Sequence, residues 1–391
     1  YMVYPAACHR RFEHSLGVME LAGRVFDVIT NDENIRFASV GSILPDRGEL
    51  PYWKRALRAA ALCHDMGHLP FSHAAEKELL PAQRTHEDLT VALIESDFLA
   101  PIWASGTPIS AEHVKKIAVG QRKLKEMPFT EWESILSEIV TGDALGVDRI
   151  DYLLRDSHHV GVEYGRFDYH RLIDSVRVLP RSTDEGGSSE PLLGIEIGGL
   201  HSAEALLLAR YFMYEQVYFH PIRRIYDIHL KEFMLAYFGT DKYPTELAGH
   251  LAMTDNEISV AMSLAAADAA RPGHHAAKMI IDRTHFRKIY SSASSEHSAL
   301  DAGARLFGPV KEKFGEDQVR FDTYRQSSNA TDFPVLIDGG LVKSSLELSD
   351  VLVKIPLTAV DFIFCAKEIS EEARRWIEAN QVDILQSGGT K

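Results

Sequence analysis

Histidine and aspartate side chains cluster in the first 160 residues, in a pattern that could hold a metal ion. The dipeptide His64-Asp65 ends an apolar helical segment. Adjacent side chains on a helix point about 100° apart, so the two could flank an ion over the helix edge. Neither could close a site alone. His14 and Asp148 are candidate third and fourth ligands, and Asp151 is an alternative to Asp148 that spacing cannot exclude.

Histidine and carboxylate ligands without a thiolate favour a catalytic over a structural metal site, and suit a divalent ion such as Mg, Mn, Fe, Ni, Co or Zn. Such a site leaves positions open for water and a phosphate oxygen, as phosphate hydrolysis at neutral pH requires. His68, His73 and His86 follow closely, and titratable groups crowded beside an apolar helix favour a functional site. Without this neighbourhood, a His-Asp pair is more often chance or a capped helix end.

Two further sets of side chains recur at helical spacing and could bind the rest of a substrate. The sets are Asp148, Tyr152 and Asp156, and Arg210, Tyr214 and Tyr218. An arginine with two tyrosines on one face could clamp a phosphate and stack on a base or sugar. A solvated helix face is the commoner explanation of the first set, and packing into the core explains the second equally well.

The elements that must position these residues are predicted to be helices as far as about residue 238. Apolar residues recur there at three- and four-residue spacing, the pattern of an amphipathic helix. Thr85 and Asp88 form a capping box, which predicts a helix start. The predicted helices cover about residues 11–29, 53–65, 86–94, 132–159, 202–218 and 222–238, the last two separated by Pro221.

Strand patterns enter later in the chain. Apolar runs at residues 173–179 and 192–197 flank a loop-like stretch at 181–191, which predicts a hairpin among the helices. Asp338-Gly339-Gly340 is a hairpin turn signal, and Ser370 is a candidate cap for a last helix. Further strands are predicted at residues 319–324, 335–337, 351–355 and 360–365. We place a domain boundary near residue 240.

The composition bounds the class of protein. The 391 residues are 45% hydrophobic and 25% charged, which excludes a disordered or collagen-like chain and predicts two or three domains. A net charge of −14 argues against a general coating of nucleic acid. No secretory signal or bilayer-spanning apolar run is evident, and three widely spaced cysteines favour a reducing cytosol. Because the chain opens abruptly at Tyr1, we expect native residues upstream of it.

Four sequence blocks together resemble the HD-domain phosphohydrolases, and more narrowly the branch of deoxynucleoside triphosphate triphosphohydrolases. In chain order the blocks are residues 11–18 (RFEHSLGV), 62–73 (LCHDMGHLPFSH), His86-Glu87 and 147–159 (VDRIDYLLRDSHH). The match covers roughly the first 230 residues in the right order. The two long blocks are highly specific, whereas a bare HD pair would be weak.

The resemblance implies a role for each matching position. The positions of the four metal ligands are His14, His64, Asp65 and Asp148. The histidine that acts at the scissile α-phosphate corresponds to His73, supported by Glu76 and His86. The substrate-binding positions are Arg11, His68 and Arg149 for phosphate, Tyr152 and Asp156 for the deoxyribose, and Arg210, Tyr214 and Tyr218 for further triphosphate and sugar contacts. The family pattern thus favours Asp148 over Asp151.

The implied fold is mainly α. An all-helical HD-domain core with a small β-hairpin occupies residues 1–240, without the N-terminal segment of the family, and a C-terminal α+β domain occupies residues 241–391. The implied reaction is hydrolysis of deoxynucleoside triphosphates to deoxynucleoside and inorganic triphosphate. A tyrosine packed against C2′ of the sugar would exclude ribonucleotides.

Departures from the family pattern leave alternatives open. Tyr214 stands where some members have His, Arg149 where some have Lys, and Glu76 where some have Asp. The same metal site would suit a phosphodiesterase or nuclease acting on other nucleotides or single-stranded nucleic acid, and an idle HD scaffold could sense nucleotides. We further expect a regulatory nucleotide, a homo-oligomer (dimer or tetramer), a cytoplasmic location and no membrane contact, with nucleic-acid binding open.

Overall fold

The computed structural model describes residues 2–106, 108–180, 191–240, 242–292, 301–325 and 332–387, and within them helices dominate. The mainly α class is therefore confirmed. The helices of the first half are α1 (Arg11–Ile29), α2 (Ala38–Gly41), α3 (Leu50–Cys63), α4 (Glu76–Leu79), α5 (His86–Ile94), α6 (Ala100–Ala104), α7 (Ala111–Val119), α8 (Glu131–Thr141), α9 (Val147–Val160) and α10 (Tyr169–Ser175). Those that follow are α11 (Leu200–Met213), α12 (Pro221–Phe238), α13 (Leu247–Ala252), α14 (Asp255–Ala267), α15 (His274–Ile281), α16 (Ala302–Phe314), α17 (Ser345–Leu348), α18 (Asp350–Lys354) and α19 (Ser370–Ser387).

The largest core lies where α1, α3 and α9 pack together. Val18, Ala22 and Val25 of α1 are buried at the three- and four-residue spacing that the sequence predicts, and they share a core with Leu57 and Ile150. Full burial of a side chain such as Leu57 stabilises the fold by about 1.5–3 kcal/mol. This packing brings the N-terminal turns of α1 and α9 beside the C-terminal end of α3.

The predicted helix start at residue 86 is confirmed. The backbone N–H of Thr85 donates to Oδ2 of Asp88 at 2.7 Å, which satisfies one of the free donors at the start of α5. His86 is the first residue of that helix. The capping box therefore fixes His86 as the first residue of α5.

The single helix predicted over residues 132–159 is wrong, because α8 and α9 are separate helices. Gly142 ends α8 and Gly146 precedes α9, and both have extended ψ angles. A side chain at either glycine would overlap a backbone carbonyl of the tight connection. The break places Asp148 in the first turn of α9, where the positive end of the helix dipole favours a carboxylate.

Two small sheets accompany the helices in the described residues. Their strands are β1 (Val176–Leu179), β2 (Leu192–Glu196), β3 (Arg287–Ser291), β4 (Val319–Arg325), β5 (Pro334–Leu336), β6 (Val342–Ser344) and β7 (Ala359–Cys365). One sheet has the order β1-β2-β5-β6 and the other β3-β7-β4. The predicted pairing of β1 with β2 is confirmed, with Val176 opposite Ile195; residues 181–190 of the predicted loop lie outside the described residues.

The later strand predictions are mostly confirmed. β4, β5 and β7 lie where the sequence predicts them, and β5 and β6 pair across a turn in which Gly339 and Gly340 have φ of 84° and 79°. The strand predicted at residues 351–355 is wrong, because residues 351–354 belong to α18 and Ile355 ends that helix. The Ser349 hydroxyl accepts from the Leu352 N–H at 3.0 Å and caps the helix, and an apolar run this short does not distinguish helix from strand.

Residues on both sides of position 240 share a second core beneath the loop that follows α3. Leu69 and Leu79 pack there with Phe233 of α12 and with Ile258 and Ala277 of the later helices. The domain boundary near residue 240, between residues 1–240 and 241–391, stays a prediction. Among the described residues, no helix combines the length and the apolar character needed to cross a membrane.

Candidate metal and phosphate site

Four predicted ligands meet where α1, α3 and α9 converge. Nε2 of His14 lies 3.0 Å from Oδ1 of Asp148, and Nε2 of His64 lies 3.6 Å from the same oxygen. Oδ1 of Asp65 is 3.5 Å from Nε2 of His64. Both histidines are buried, each with 8% of its surface exposed. Two imidazoles and two carboxylates therefore lie together, with 3.0 to 3.6 Å between the paired nitrogen and oxygen atoms.

The other ring nitrogen of each histidine is held by a hydrogen bond. Nδ1 of His14 donates to Oδ2 of Asp151 at 2.8 Å, and Nδ1 of His64 donates to the Ala61 carbonyl at 2.8 Å. These bonds direct Nε2 of both rings toward Asp148. Nε2 of His64 is buried and has no hydrogen-bond partner among the described residues. A buried lone pair facing carboxylates fits a divalent cation, because a cation supplies the missing partner.

The electrostatics of the cluster support the same fit. Burial opposes ionisation of Asp148, but the neighbouring imidazoles of His14 and His64 outweigh it and hold the pKa of this carboxyl well below its usual range. Burial likewise opposes a charge on His14, yet its bonds to Asp148 and Asp151 raise its pKa to about 9. The carboxylates thus favour positive charge between the four side chains. In this structure the protonated ring of His14 supplies that charge.

A second group of histidines surrounds Glu76 beside the first. Nδ1 of His73 donates to one oxygen of Glu76 at 2.7 Å, and Nδ1 of His86 donates to the other at 2.8 Å. Nε2 of His73 lies 3.3 Å from Nε2 of His68. Glu76 is buried, whereas 65% of the His73 side chain is exposed. The arrangement therefore presents an oriented imidazole to solvent with a carboxylate behind it.

The pKa values in this second group follow from burial and hydrogen bonding. Burial lowers the pKa of His68 to about 3, so its ring is neutral. Burial opposes ionisation of Glu76, but the hydrogen bonds from His73 and His86 prevail and lower the pKa of the carboxyl. An ionised Glu76 stabilises positive charge on His73, which is what a proton-donating imidazole needs.

A strained turn carries His73 to the site. Phe71 and Ser72 adopt φ of 56° and 67°, a left-handed conformation that is uncommon for residues other than glycine. Upstream, a side chain at Gly67 would overlap the backbone of His86 and Thr90. The close contact of this loop with α5 therefore requires glycine and brings His68 beside His86, with ring centroids 3.8 Å apart.

Two arginines predicted to contact phosphate flank the four predicted metal ligands. The Arg11 side chain contacts Asp65 and Ser72. Arg149 follows Asp148 directly, and its Nε and Nη1 are buried without a hydrogen-bond partner in the described part of the chain. Its nearest carboxylate, on Asp143, is 3.9 Å from Nη2. A guanidinium with unsatisfied donors fits an anionic ligand.

The predicted sugar contacts form a separate group one turn further along α9. Asp156 accepts a hydrogen bond from the Tyr218 hydroxyl at 2.7 Å and lies 2.7 Å from Nε2 of His9. The rings of Tyr152 and Tyr218 meet edge to face at 6.3 Å. Tyr218 ends a π-helical turn, residues 214–218, a feature frequent at functional sites.

Arg210 and Tyr214 lie at the outer end of this group. The Arg210 guanidinium is 5.7 Å from the centre of the Tyr214 ring. Both line a small cavity with Tyr324 and with residues 355–358. They extend the Tyr152–Tyr218 group toward the C-terminal part of the chain and make no described contact with the four predicted ligands.

Two contacts escape the sequence reasoning. Asp151, weighed as a ligand, instead bonds Nδ1 of His14 and is held by two hydrogen bonds from Arg155, at 2.8 and 2.9 Å. The Asp-Arg-x-Asp order of residues 148–151 signals both aspartates, but not which of them is nearer the other predicted metal ligands. His9 precedes α1, so no helical spacing relates it to Asp156.

Two family models match the chain: the HD domain over residues 11–156 and the HD associated region over residues 167–302. With the site geometry above, these matches show that the chain belongs to the HD-domain phosphohydrolases. Human deoxynucleoside triphosphate triphosphohydrolase SAMHD1 is 30% identical over 266 residues, which are 62% of this chain and 39% of that protein. Uncharacterized protein YwfO of Bacillus subtilis is 32% identical over 239 residues, 60% of this chain and 46% of that protein. The chain thus spans less than half the length of either relative.

Solved structures share the fold across nearly the whole chain. A hypothetical protein from Aquifex aeolicus has a TM-score of 0.75 and 30% identity, and the match covers 96% of this chain and 88% of that one. A phosphohydrolase from Bacteroides thetaiotaomicron has a TM-score of 0.68 and 24% identity, covering 94% of this chain and 89% of that one. The fold described above therefore extends to proteins of similar size.

Proposed function

We propose that this HD-domain hydrolase converts deoxynucleoside triphosphates to deoxynucleosides and inorganic triphosphate in a metal-dependent reaction. One observation carries the proposal: the cluster of His14, His64, Asp65 and Asp148 lies beside the oriented His73–Glu76 pair. Similarity to human deoxynucleoside triphosphate triphosphohydrolase SAMHD1 supports the choice of substrate.

The four clustered side chains would hold the metal ion. A divalent ion bound there supplies Lewis acidity toward a phosphate oxygen and toward water. Asp151 and the Ala61 carbonyl fix the two imidazole rings, so Nε2 of each would be available to a bound ion. Such outer partners raise the basicity of ligating histidines and orient them.

The remaining residues act on the phosphates directly. The buried, unsatisfied guanidinium of Arg149 and the Arg11 side chain beside Ser72 would neutralise the triphosphate. Nε2 of His73 lies 3.3 Å from His68, whose other ring nitrogen is 3.4 Å from Asp65, and Glu76 holds Nδ1 of the His73 ring. His73 would then donate a proton to the departing oxygen at the α-phosphate while Glu76 stabilises the charged ring.

The tyrosine group would select the sugar. Asp156 is held by the Tyr218 hydroxyl, leaving carboxylate lone pairs for a 3′-hydroxyl, and the Tyr152 ring packs against Tyr218. A ring closing on C2′ leaves no room for a 2′-hydroxyl. These roles account for selection of deoxyribose over ribose.

A phosphodiesterase or nuclease acting on other nucleotides or on single strands is the second candidate. The exposure of the His73 side chain favours it, because an open mouth admits a longer substrate. The same metal cluster would serve either reaction, so substrate and product decide between them.

The test is an assay of purified, metal-loaded protein against each deoxynucleoside triphosphate, each ribonucleoside triphosphate and single-stranded DNA. Released phosphate species are identified by ³¹P NMR. Inorganic triphosphate from deoxynucleotides, lost in Asp65→Ala and retained in the exposed control Asp97→Ala, supports the proposal. Pyrophosphate, monophosphate or shortened DNA as the product would contradict it.

A further inference from the structure

The turn that carries His73 is held by helices far away in sequence. The backbone N–H of Phe71 donates to Oδ1 of Asp255 at 2.8 Å, across 184 residues. Asp255 is the first residue of α14. Phe71 is one of two consecutive residues in the left-handed conformation, so the bond is made at the strained point of the turn.

The beginning of the same loop has a second anchor in α13. His250 is buried, and its Nδ1 lies 3.0 Å from the Tyr243 hydroxyl. The ring of His250 also lies against the backbone of Met66, the residue after Asp65. The segment from Met66 to Phe71 is therefore held at one end by His250 of α13 and at the other by Asp255 of α14.

The bond from Phe71 to Asp255 matters because Phe71 and Ser72 have strained backbone angles. Non-glycine residues in the left-handed region persist only where surrounding contacts hold them, and such residues concentrate at functional sites. The N–H of Ser72 donates to the Leu69 carbonyl at 2.9 Å inside the turn, whereas the Phe71 N–H is held from outside by Asp255. Without that carboxylate the turn can relax toward ordinary φ angles. His73 follows Phe71 by two residues. Its ring would then leave its place between Glu76 and His68.

We propose that Asp255 is a positioning residue for the reaction, acting through the Phe71–Ser72 turn to hold the His73 imidazole in its productive orientation. The inference rests on the proposed role of His73 and adds the start of α14 to the residues on which turnover depends. Asp255 is exposed and touches neither the metal cluster nor the phosphate-binding arginines in the described structure.

Three variants separate positioning from helix stability. Asp255→Ala removes the acceptor, Asp255→Asn keeps an amide oxygen in its place, and Glu257→Ala removes another carboxylate from the same helical turn. Glu257 is a matched control because its described hydrogen bonds go to Thr254. We expect kcat about tenfold lower in Asp255→Ala, the scale of one charge-assisted hydrogen bond, with KM and metal content unchanged. Asp255→Asn recovers most of the rate, and Glu257→Ala retains it.

Amide hydrogen exchange at Phe71 tests the anchor without reference to activity. Exchange is expected to accelerate in Asp255→Ala and not in Glu257→Ala. Unchanged exchange in Asp255→Ala would overturn the inference. So would equal rate losses in Asp255→Ala and Glu257→Ala, because helix stability would then explain both.

A double-mutant comparison links the anchor to His73. In a His73→Ala background, adding Asp255→Ala should cause no further loss of rate, since both changes act on one group. A further tenfold loss would overturn the inference. Normal turnover in His73→Ala would overturn the positioning role of Asp255, even if faster exchange at Phe71 still reports the anchor. Failure of the proposed function is seen separately, as wild-type protein that releases no inorganic triphosphate from deoxynucleotides.

Discussion

Asp151 accepts a hydrogen bond from Nδ1 of His14 at 2.8 Å, and this bond turns Nε2 of His14 toward Asp148. Arg155 grips Asp151 through two nitrogens. α1 can approach this pair because Gly17 has no side chain. A Cβ at that position would overlap Oδ1 of Asp151. The orientation of His14 thus depends on Asp151, Arg155 and Gly17. None of these three is a predicted metal ligand.

The first prediction is that Asp151→Ala weakens metal binding without removing a ligand. Loss of such an outer partner typically costs 10–100-fold in metal affinity or activity, and we expect an effect of that size. Metal titration with content measured by mass spectrometry checks it, with the exposed Asp97→Ala as control. Unaltered metal affinity in Asp151→Ala would show that the His14 ring is held by its packing alone.

The second prediction separates His73 from the metal. His73→Ala should lower kcat by about 10²–10⁴-fold, the usual contribution of a positioned acid or base. Metal content and nucleotide affinity should persist, because the four clustered residues and the arginines provide them. All three quantities are measured on one preparation, with His274→Ala, outside both clusters, as control. Near-normal turnover would remove His73 from the reaction, and lost metal would make it a ligand.

The third prediction concerns the sugar. The wild-type protein should hydrolyse ribonucleotides poorly, and Tyr152→Ala should raise their kcat/KM relative to the matching deoxynucleotides, because the ring no longer blocks C2′. The exposed Tyr164→Ala serves as control. Competition assays with paired substrates measure the ratio. Equal rates on both sugars in the wild type would favour the phosphodiesterase alternative.

The fourth prediction is a pH dependence of stability from Glu138, which joins α8 to β2 by accepting the Leu193 N–H at 2.9 Å. Burial raises the pKa of Glu138 to about 7 from an ordinary 4.5. Between these values the folded state keeps a proton that the unfolded state releases, so this group's contribution to the free energy of unfolding falls as pH rises.

Glu138→Gln stays neutral and keeps an acceptor for Leu193. It should match the wild type below pH 4.5 and exceed it by about 3 kcal/mol at pH 8. Urea unfolding across pH measures the difference, with the exposed Glu131→Gln on the same helix as control. A constant offset between Glu138→Gln and the wild type at every pH would contradict the prediction.

Local signals in the sequence predict most of the helices because each signal depends on neighbouring residues. The Thr85–Asp88 cap and the turn at Gly339-Gly340 are of this kind. The sequence pattern does not predict the break between α8 and α9, because a glycine is tolerated inside a helical pattern. The connection at Gly142 and Gly146 requires glycine because backbone atoms approach closely there. The spacing of apolar residues carries no information about that approach.

The candidate site divides in the same way. The family resemblance predicts that His64, Asp65 and Asp148 come together, and in the structure Nε2 of His64 lies 3.5 Å from Asp65 and 3.6 Å from Asp148. The contacts from His9 to Asp156 and from Asp255 to Phe71 join segments 147 and 184 residues apart. Such pairings arise from the packing of whole helices, so a single sequence carries no local sign of them.

The parallel pairing of β2 with β5 bears on how the chain is synthesised. Ile195 leaves the ribosome about 140 residues before its partner Val335, an interval of roughly 7–30 s at typical elongation rates. During that time one edge of the β1–β2 hairpin offers unpaired backbone groups to any neighbouring strand. The nascent chain therefore passes through a period in which the helical core can form while its sheet still lacks a partner. Chaperone capture or pairing between nascent chains would act in that interval.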